Sequence, residues 1–391
     1  MVERTQRIPK RILYGVQGEG RGHAARSLQI IQWLVSKGYR VKVLTGGDAM
    51  QVLAGHGLDL EVIPMIRYRF NSAGALDPWR TVTCNAVRTL GLLFGIGRRH
   101  GLVASLASSF RPHLIISDFE PYLSRLARRM DVPLLAIDHQ HFLTESRLPP
   151  IKGWQRALML KLYQFGINVW AGRPDGIIAS SFYHFPKKPN SRAVFVGPFI
   201  PHGLKGLPRE SDDSVTVYLK QAGYLSSLLE TMAKRPDRRF IVFSDWQASP
   251  PAGLPPNVMA APISREGFLT QLAKSAALIT TAGNQVIGEA VFLHKPVLAF
   301  PEPDVLEQEL NALALNRSGF GETFRLGEFT LARWEAFESG LGRFRTSMEG
   351  RFRGQRAFDG RKQALRTLHR FLSRITAGGK HSGKPRAAFA P

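Results

Sequence analysis

The chain has 391 residues, 44% of them apolar, and a formal net charge of +23. That length and composition fit two domains with ordinary buried cores and exclude a disordered or fibrous protein. The surplus of lysine and arginine favours an anionic partner: nucleic acid, a phosphorylated small molecule or an acidic membrane surface. The single cysteine, Cys84, rules out an intrachain disulfide and a thiolate-rich zinc site, and it fits a reducing cytoplasm.

The opening "MVERTQRIPKRILYG" has no continuous apolar run, so a secretory signal is not expected. The most apolar later stretch, "VRTLGLLFGIGRRHGLVASLA", is broken by Arg98, Arg99 and His100, short of the roughly 20 apolar residues of a membrane span. In chain order, "RILYGV" reads as a strand, "AARSLQIIQWLVSKG" as a helix stopped by Gly38, and "RVKVLTGG" as a second strand. "PHLIISD", the helix-like "PYLSRLARRMD", "VPLLAID" and "PDGIIAS" follow. Short apolar runs separated by helices predict parallel strands buried on both faces.

The second half repeats this grammar. "SVTVYL", "RRFIVFS", "NVMAAP", "AALITTAG" and "KPVLAFP" read as strands, with "AGYLSSLLETMAK", "EGFLTQLAKS", "QVIGEAVFLH" and "EQELNALALNRSG" as helices between them. The joining segment "FVGPFIPHGLKGLPRESDDS" is rich in Gly, Pro and Ser, as a linker should be. The resulting division is residues 1–195, 196–345 and a basic helix and tail over 346–391, with "TAGGKHSGKPRAAFAP" expected to be disordered.

Residues 15–26, "GVQGEGRGHAAR", join the first strand to the first helix. Glycines there let the backbone approach a ligand, and the helix N-terminus favours an anion. Gly18, Gly20 and Gly22 do not make G-x-G-x-x-G, and the second strand lacks the acidic residue a dinucleotide fold needs before Asp48. A P-loop fails as well, because no Gly-Lys-Ser/Thr follows. His23, read as the last loop position, would project into the cleft at the strand's C-terminal edge and could take a proton from a hydroxyl. A capping or packing histidine is the competing reading.

Residues 279–322, "ITTAGNQVIGEAVFLHKPVLAFPEPDVLEQELNALALNRSGFGE", narrow the choice. Thr281, Ala282 and Gly283 stand between a strand and a helix, where backbone N–H groups can bind a diphosphate. Together with "GEGRGH", this segment resembles the donor-binding region of MurG-type, UDP-sugar-dependent glycosyltransferases of the GT-B fold, over about residues 11–345. The resemblance implies two Rossmann-like α/β domains facing across a cleft, the N-terminal one for the acceptor and the C-terminal one for the donor. It also implies ribose recognition by Glu289, sugar contacts from Gln308 and Asn311, and a nucleobase held around Ile263. Asn284, following Gly283, departs from the Ser or Thr of many relatives and bears on the choice of donor sugar.

The implied reaction is displacement at an anomeric carbon by an acceptor hydroxyl. His23 is the candidate base, Asp118 of "SDFEP" can orient it, and Gly20, Gly22 and the loop 282–284 can stabilise the departing diphosphate. Glu120, and Asp138, His139 and His141 of "IDHQH", lie at C-terminal strand ends and are expected to line the acceptor pocket. "DHQH" also admits a metal reading with no third ligand assured, and no Asp-x-Asp motif occurs. Neither a metal nor a cofactor is expected, since the nucleotide sugar is a substrate. Arg26 reads equally as a phosphate or acceptor contact or as a surface residue.

Residues 151–173 combine Trp154, Leu158, Met159, Leu162, Tyr163, Phe165 and Trp170 with Lys152, Arg156 and Lys161. Such a segment can lie in the interface of an anionic membrane, and a lipid-linked acceptor would follow; a core helix is the plainer reading. A UDP-sugar 2-epimerase-like isomerase and a non-catalytic nucleic-acid binder remain as alternatives. No RNA-binding motif or zinc-finger spacing supports the latter, so no nucleic acid is expected.

Overall fold

A computed structural model describes residues 10–19, 21–65, 98–150, 153–207, 211–219, 222–244, 246, 250–262, 264–303, 305–351 and 358–377. The expectations for Gly20, Ile263, Cys84, Lys152 and the tail beyond residue 377 lie outside these residues. The first unit runs β1 (Arg11–Val16), α1 (Arg21–Ser36), β2 (Arg40–Thr45), α2 (Gly47–Leu53), β3 (Asp59–Val62), α3 (Arg98–Phe110) and β4 (Leu114–Asp118). It continues through α4 (Pro121–Arg129), β5 (Leu134–Asp138), α5 (His141–Glu145), α6 (Trp154–Ala171), β6 (Gly176–Ser180) and β7 (Ala193–Val196). Its strands form one sheet in the order β3-β2-β1-β4-β5-β6-β7, all pairs parallel. Every residue of β4, β5 and β6 is buried, as helices on both faces of a parallel sheet require.

The second unit holds β8 (Ser214–Leu219), α7 (Ser226–Ala233), β9 (Arg239–Ser244), β10 (Val258–Pro262), α8 (Arg265–Lys274), β11 (Ala277–Thr281) and α9 (Asn284–Phe292). After these come β12 (Val297–Phe300), α10 (Leu306–Ser318), β13 (Gly321–Thr323), α11 (Leu331–Ser339) and α12 (Leu341–Arg351). Its sheet order is β10-β9-β8-β11-β12-β13, again parallel throughout. Both units are therefore doubly wound, and strand order reverses between β1 and β4 in one and between β8 and β11 in the other. Ligands of such sheets bind outside the C-terminal strand ends at these reversals.

The last helix, α13 (Arg361–Ala377), returns to the first unit. Ala364, Leu368, Phe371 and Leu372 are buried in one cluster with Ile12, Leu135, Ile178 and Val196. The expected basic helix is half core: its apolar residues recur at helical spacing and cover β6 and β7, while its cations face outward. The chain consequently crosses between the units twice. At the crossing Gly197 and Gly360 pack against each other's backbone so closely that a Cβ on either would overlap its neighbour. Gly360 N–H donates to the Pro198 carbonyl at 3.0 Å, binding the two crossings together. A cluster containing Phe182 and Phe185 of the first unit, Ile200 of the joining segment and Ile287, Ala290 and Val291 of the second unit closes the units against one another.

Candidate active site

Helix α1 begins at Arg21, so Gly22 and His23 occupy its first turn rather than the loop before it. The turn still directs His23 to the strand reversal between β1 and β4, because α1 starts beside the C-terminal end of β1. Asp118 is the last residue of β4, in register with Val16. His23 Nδ1 lies 2.7 Å from Asp118 Oδ1. Since the carboxylate can only accept, Nδ1 carries a proton, and in the neutral ring Nε2 is the nitrogen left to accept one. Nε2 faces the cleft, and the His23 side chain keeps 15% of its exposure while Asp118 is fully buried.

Three further groups fix Asp118. Arg26 donates through Nη2 to Oδ1 at 2.5 Å and through Nε to Oδ2 at 3.1 Å, and Ser27 Oγ donates to Oδ2 at 2.8 Å. Burial works against the charged form, but the guanidinium of Arg26 and the imidazole of His23 outweigh it and hold Asp118 below the usual carboxylate range. Arg26, weighed as a surface or phosphate-contacting residue, is instead buried and belongs to this support. The signal for it lay in the sequence: on a helix whose first turn carries His23, positions 26 and 27 share its face.

The other residues expected on the acceptor side divide. Glu120 does not face a pocket: fully buried, it caps α4 by accepting from the N–H groups of Tyr122 at 3.1 Å and Leu123 at 2.8 Å. Burial pushes its carboxyl up to about 7 against those two bonds. Asp138 and His141 satisfy each other, Nδ1 to Oδ2 at 2.6 Å, with the His141 N–H on Oδ1 at 2.9 Å. Both are buried, so they lock the turn into α5 and leave the neighbouring residues to line the cleft. His139 does face it. Its Nδ1 donates to the Ser180 carbonyl at 2.7 Å, while buried Nε2 has no hydrogen-bond partner and lies 3.6 Å from Glu307 Oε1. Burial holds His139 below the ordinary imidazole value.

Gln140 and Glu307 are site residues that sequence reasoning missed. Gln140 Nε2 sits 3.4 Å from His23 Nε2 and 3.4 Å from Glu307 Oε2, linking the first unit's histidine to the first turn of α10 in the second. Both stood inside quoted motifs, beside His139 and Gln308, but only the facing of the two units brings them together.

On the donor side, Gly283 precedes α9, and no side chain caps that helix, which leaves its first N–H groups directed at the cleft. Asn311 Nδ2 donates to the Ala282 carbonyl at 3.0 Å and is buried, so it shapes the donor loop. Gln308 grips Glu302, accepting from its N–H at 2.8 Å and donating to its carboxylate at 3.1 Å. Asn284 Oδ1 accepts from the Phe182 N–H at 3.0 Å and Ser181 Oγ at 3.3 Å, a contact between the units. Glu289 is fully buried and held by Arg265, Nη1 to Oε2 at 3.0 Å, and by Gln285 Nε2 at 2.6 Å. Arg265 was absent from the sequence reading; it opens α8, next to the position expected to hold a nucleobase. Among the described residues no group of His, Cys, Asp and Glu is arranged to hold a metal ion.

Two doubly wound domains facing across a cleft, with an acid-oriented histidine at one reversal and an open helix N-terminus at the other, define a GT-B glycosyltransferase. The chain belongs to the glycosyl transferase family 1, whose model matches residues 10–341. An uncharacterized glycosyltransferase of Methanosarcina acetivorans is 23% identical over 334 residues, covering 80% of this chain and 84% of its own. One from Methanosarcina mazei is 25% identical over 335 residues, 80% of this chain and 85% of its own. The solved glycotransferase of kitacinnamycin shares the fold at a TM-score of 0.66 and 18% identity, covering 93% of this chain and 99% of its own. The glycosyltransferase VinC, in complex with DTDP, does so at 0.60 and 15%, covering 93% and 100%.

Proposed function

We propose that this glycosyltransferase is an inverting, metal-independent enzyme that moves a sugar from a nucleoside diphosphate donor to a hydroxyl carried on a lipid. The observation that carries the reading is the His23–Asp118 pair. His23 Nε2 takes the acceptor's hydroxyl proton as the oxygen bonds to the anomeric carbon; the bond from that carbon to the diphosphate breaks, and the nucleoside diphosphate leaves. Asp118 stabilises the imidazolium that forms. Buried and with both oxygens engaged, Asp118 is not free to attack the sugar itself, which supports a single displacement.

The N-terminus of α9 suits the diphosphate. The resemblance gives the ribose to Glu289; its buried carboxylate is engaged on both oxygens by Arg265 and Gln285, so ribose hydroxyls would take the place of one of those donors. His139, Gln140 and Glu307 converge where sugar or acceptor hydroxyls would lie, and the unpartnered Nε2 of His139 and Oε1 of Gln140 supply acceptors for them. The resemblance to MurG-type enzymes favours a UDP-sugar, and the DTDP bound to VinC keeps a thymidine diphosphate sugar in the screen. The exposure of Trp154, Leu162 and Phe165 on α6, a helix that carries Arg156 and Lys161 and no carboxylate, supports a lipid carrier and an anionic membrane as the place of work.

Calorimetric titration with UDP, TDP and GDP identifies the donor class, and Glu289→Ala is expected to weaken the nucleotide that binds. His23→Ala is expected to keep that affinity while lowering turnover by roughly 100- to 10,000-fold. Unchanged turnover in the variant removes the base assignment, and the absence of any nucleoside diphosphate binding removes the reading altogether.

A further inference from the structure

We infer that the outward face of α6 is the surface on which this protein lies against an anionic lipid bilayer; the inference deepens the proposed lipid-linked acceptor and rests on it. The helix is 18 residues long, about 27 Å at 1.5 Å per residue. Trp154, Leu158, Leu162 and Phe165 recur at i, i+4, i+8 and i+11 and form one stripe. They are 75%, 48%, 60% and 68% exposed, and Met159 and Tyr163 widen the band at 41% and 36%. The opposite face is already satisfied, with Ile167 and Ala171 buried against the protein. Single exposed apolar residues are ordinary, whereas a continuous band of six including Trp, Tyr and Phe marks a contact surface.

Charge selects the occupant. At 100° per residue, Lys161 borders one edge of the apolar arc; Arg156 borders the other, where Glu309 of α10 pairs with it, and the helix itself contains no acidic residue. Across residues 146–207 the sole acidic residue is Asp175, against cations that include Arg147, Lys187 and Lys188. An apolar band with Lys161 at its margin, in a stretch of chain this poor in carboxylates, matches the acyl boundary and phosphates of an acidic leaflet, with Trp and Tyr at headgroup depth. A second copy of the chain would set the same cations against each other. No helix among the described residues is long and apolar enough to cross a membrane, so the contact is one of lying along the surface.

Placement ties this face to the reaction. Helix α6 packs on α4 and α5, whose N-termini follow the strand ends carrying Asp118 and Asp138. Gln164 Nε2 donates to the Leu143 carbonyl at 2.7 Å, and Arg156 reaches Glu309 of α10 at 2.6 Å. A bilayer under α6 therefore lies on the same side of the molecule as α4, α5 and the start of α10, the elements that border the cleft.

The test is co-sedimentation of the full chain with vesicles of phosphatidylcholine alone and of phosphatidylcholine with phosphatidylglycerol. Wild type is expected to bind the anionic vesicles. Leu162→Ser with Phe165→Ser is expected to lower the partition on the order of a hundredfold, the removal of two large apolar groups, while Phe165→Trp retains it. Thermal melting and nucleoside diphosphate titration of the double variant are expected to match wild type, which separates lost docking from lost folding. Equal vesicle binding by wild type and the double variant overturns the proposal, as does absence of binding by wild type. Self-association in ultracentrifugation that depends on Leu162 and Phe165, without vesicle binding, assigns the face to a second copy and overturns it too. Vesicle binding that needs the stripe in a protein binding no nucleoside diphosphate upholds the surface and removes the transferase reading instead.

Discussion

Asp118 and Glu120 are two residues apart, both fully buried, and meet opposite electrostatic fates. Asp118 is surrounded by donors and stays charged. Glu120 meets only two backbone N–H groups, and burial pushes it up to about 7 from an ordinary 4.5. Between those values an unfolded chain releases a proton that the folded chain keeps, so the contribution of Glu120 to stability is greatest below pH 4.5 and falls as pH rises toward 7. The loss reaches about 3 kcal/mol near neutrality by linkage. Glu120→Gln is expected to weaken one cap bond yet flatten this slope, measured as urea midpoints at pH 5 and pH 7.5; parallel slopes in wild type and variant would contradict the assignment. "SDFEP" displayed both carboxylates at a strand end, where either can face a ligand. The distinguishing sign was Pro121, a residue favoured at the first helical position, which makes the glutamate before it a cap.

At the scale of elements, the doubly buried strands were legible because unbroken apolar runs have few other uses. β3, β7 and β13 were not recognised, and all three are sheet edges of three or four residues. An edge strand is covered on fewer sides and needs no long apolar run. Helix α13 shows a different limit: "ALRTLHRFL" carried a visible helical period, but nothing local told which sheet it would cover. Leu368 is fully buried there, and Leu368→Ala is expected to cost about 2–5 kcal/mol. Chemical denaturation should show the loss in the transition of the first unit, although the residue lies beyond every strand of the second.

At the scale of the whole molecule, the candidate site is the sum of two half-sites, each readable as a motif and neither complete alone. His23 and Asp118 were legible because a strand end and a helix start place them by rule. Gln140, Glu307 and Arg265 were not, since their roles depend on how the units face. Asn284 illustrates the same dependence: placed in the donor loop by sequence, it is a bond across the interface. Asn284→Ala leaves the buried Phe182 N–H without its acceptor and is expected to weaken closure by about 1–3 kcal/mol. Solution scattering should then report a more open average and kinetics a higher KM for the donor, with the melting of each unit preserved.

The paired crossings at Gly197 and Gly360 bear on how such a molecule can move. One strand joining two bodies permits rotation about almost any axis. Two strands bonded side by side behave as a ribbon, compliant in one direction and stiff to torsion and shear. Tied to each other at this point, the two crossings restrain the second unit more than a single strand could: twisting or sliding one unit past the other works against the Gly360–Pro198 bond and the close Gly197–Gly360 contact.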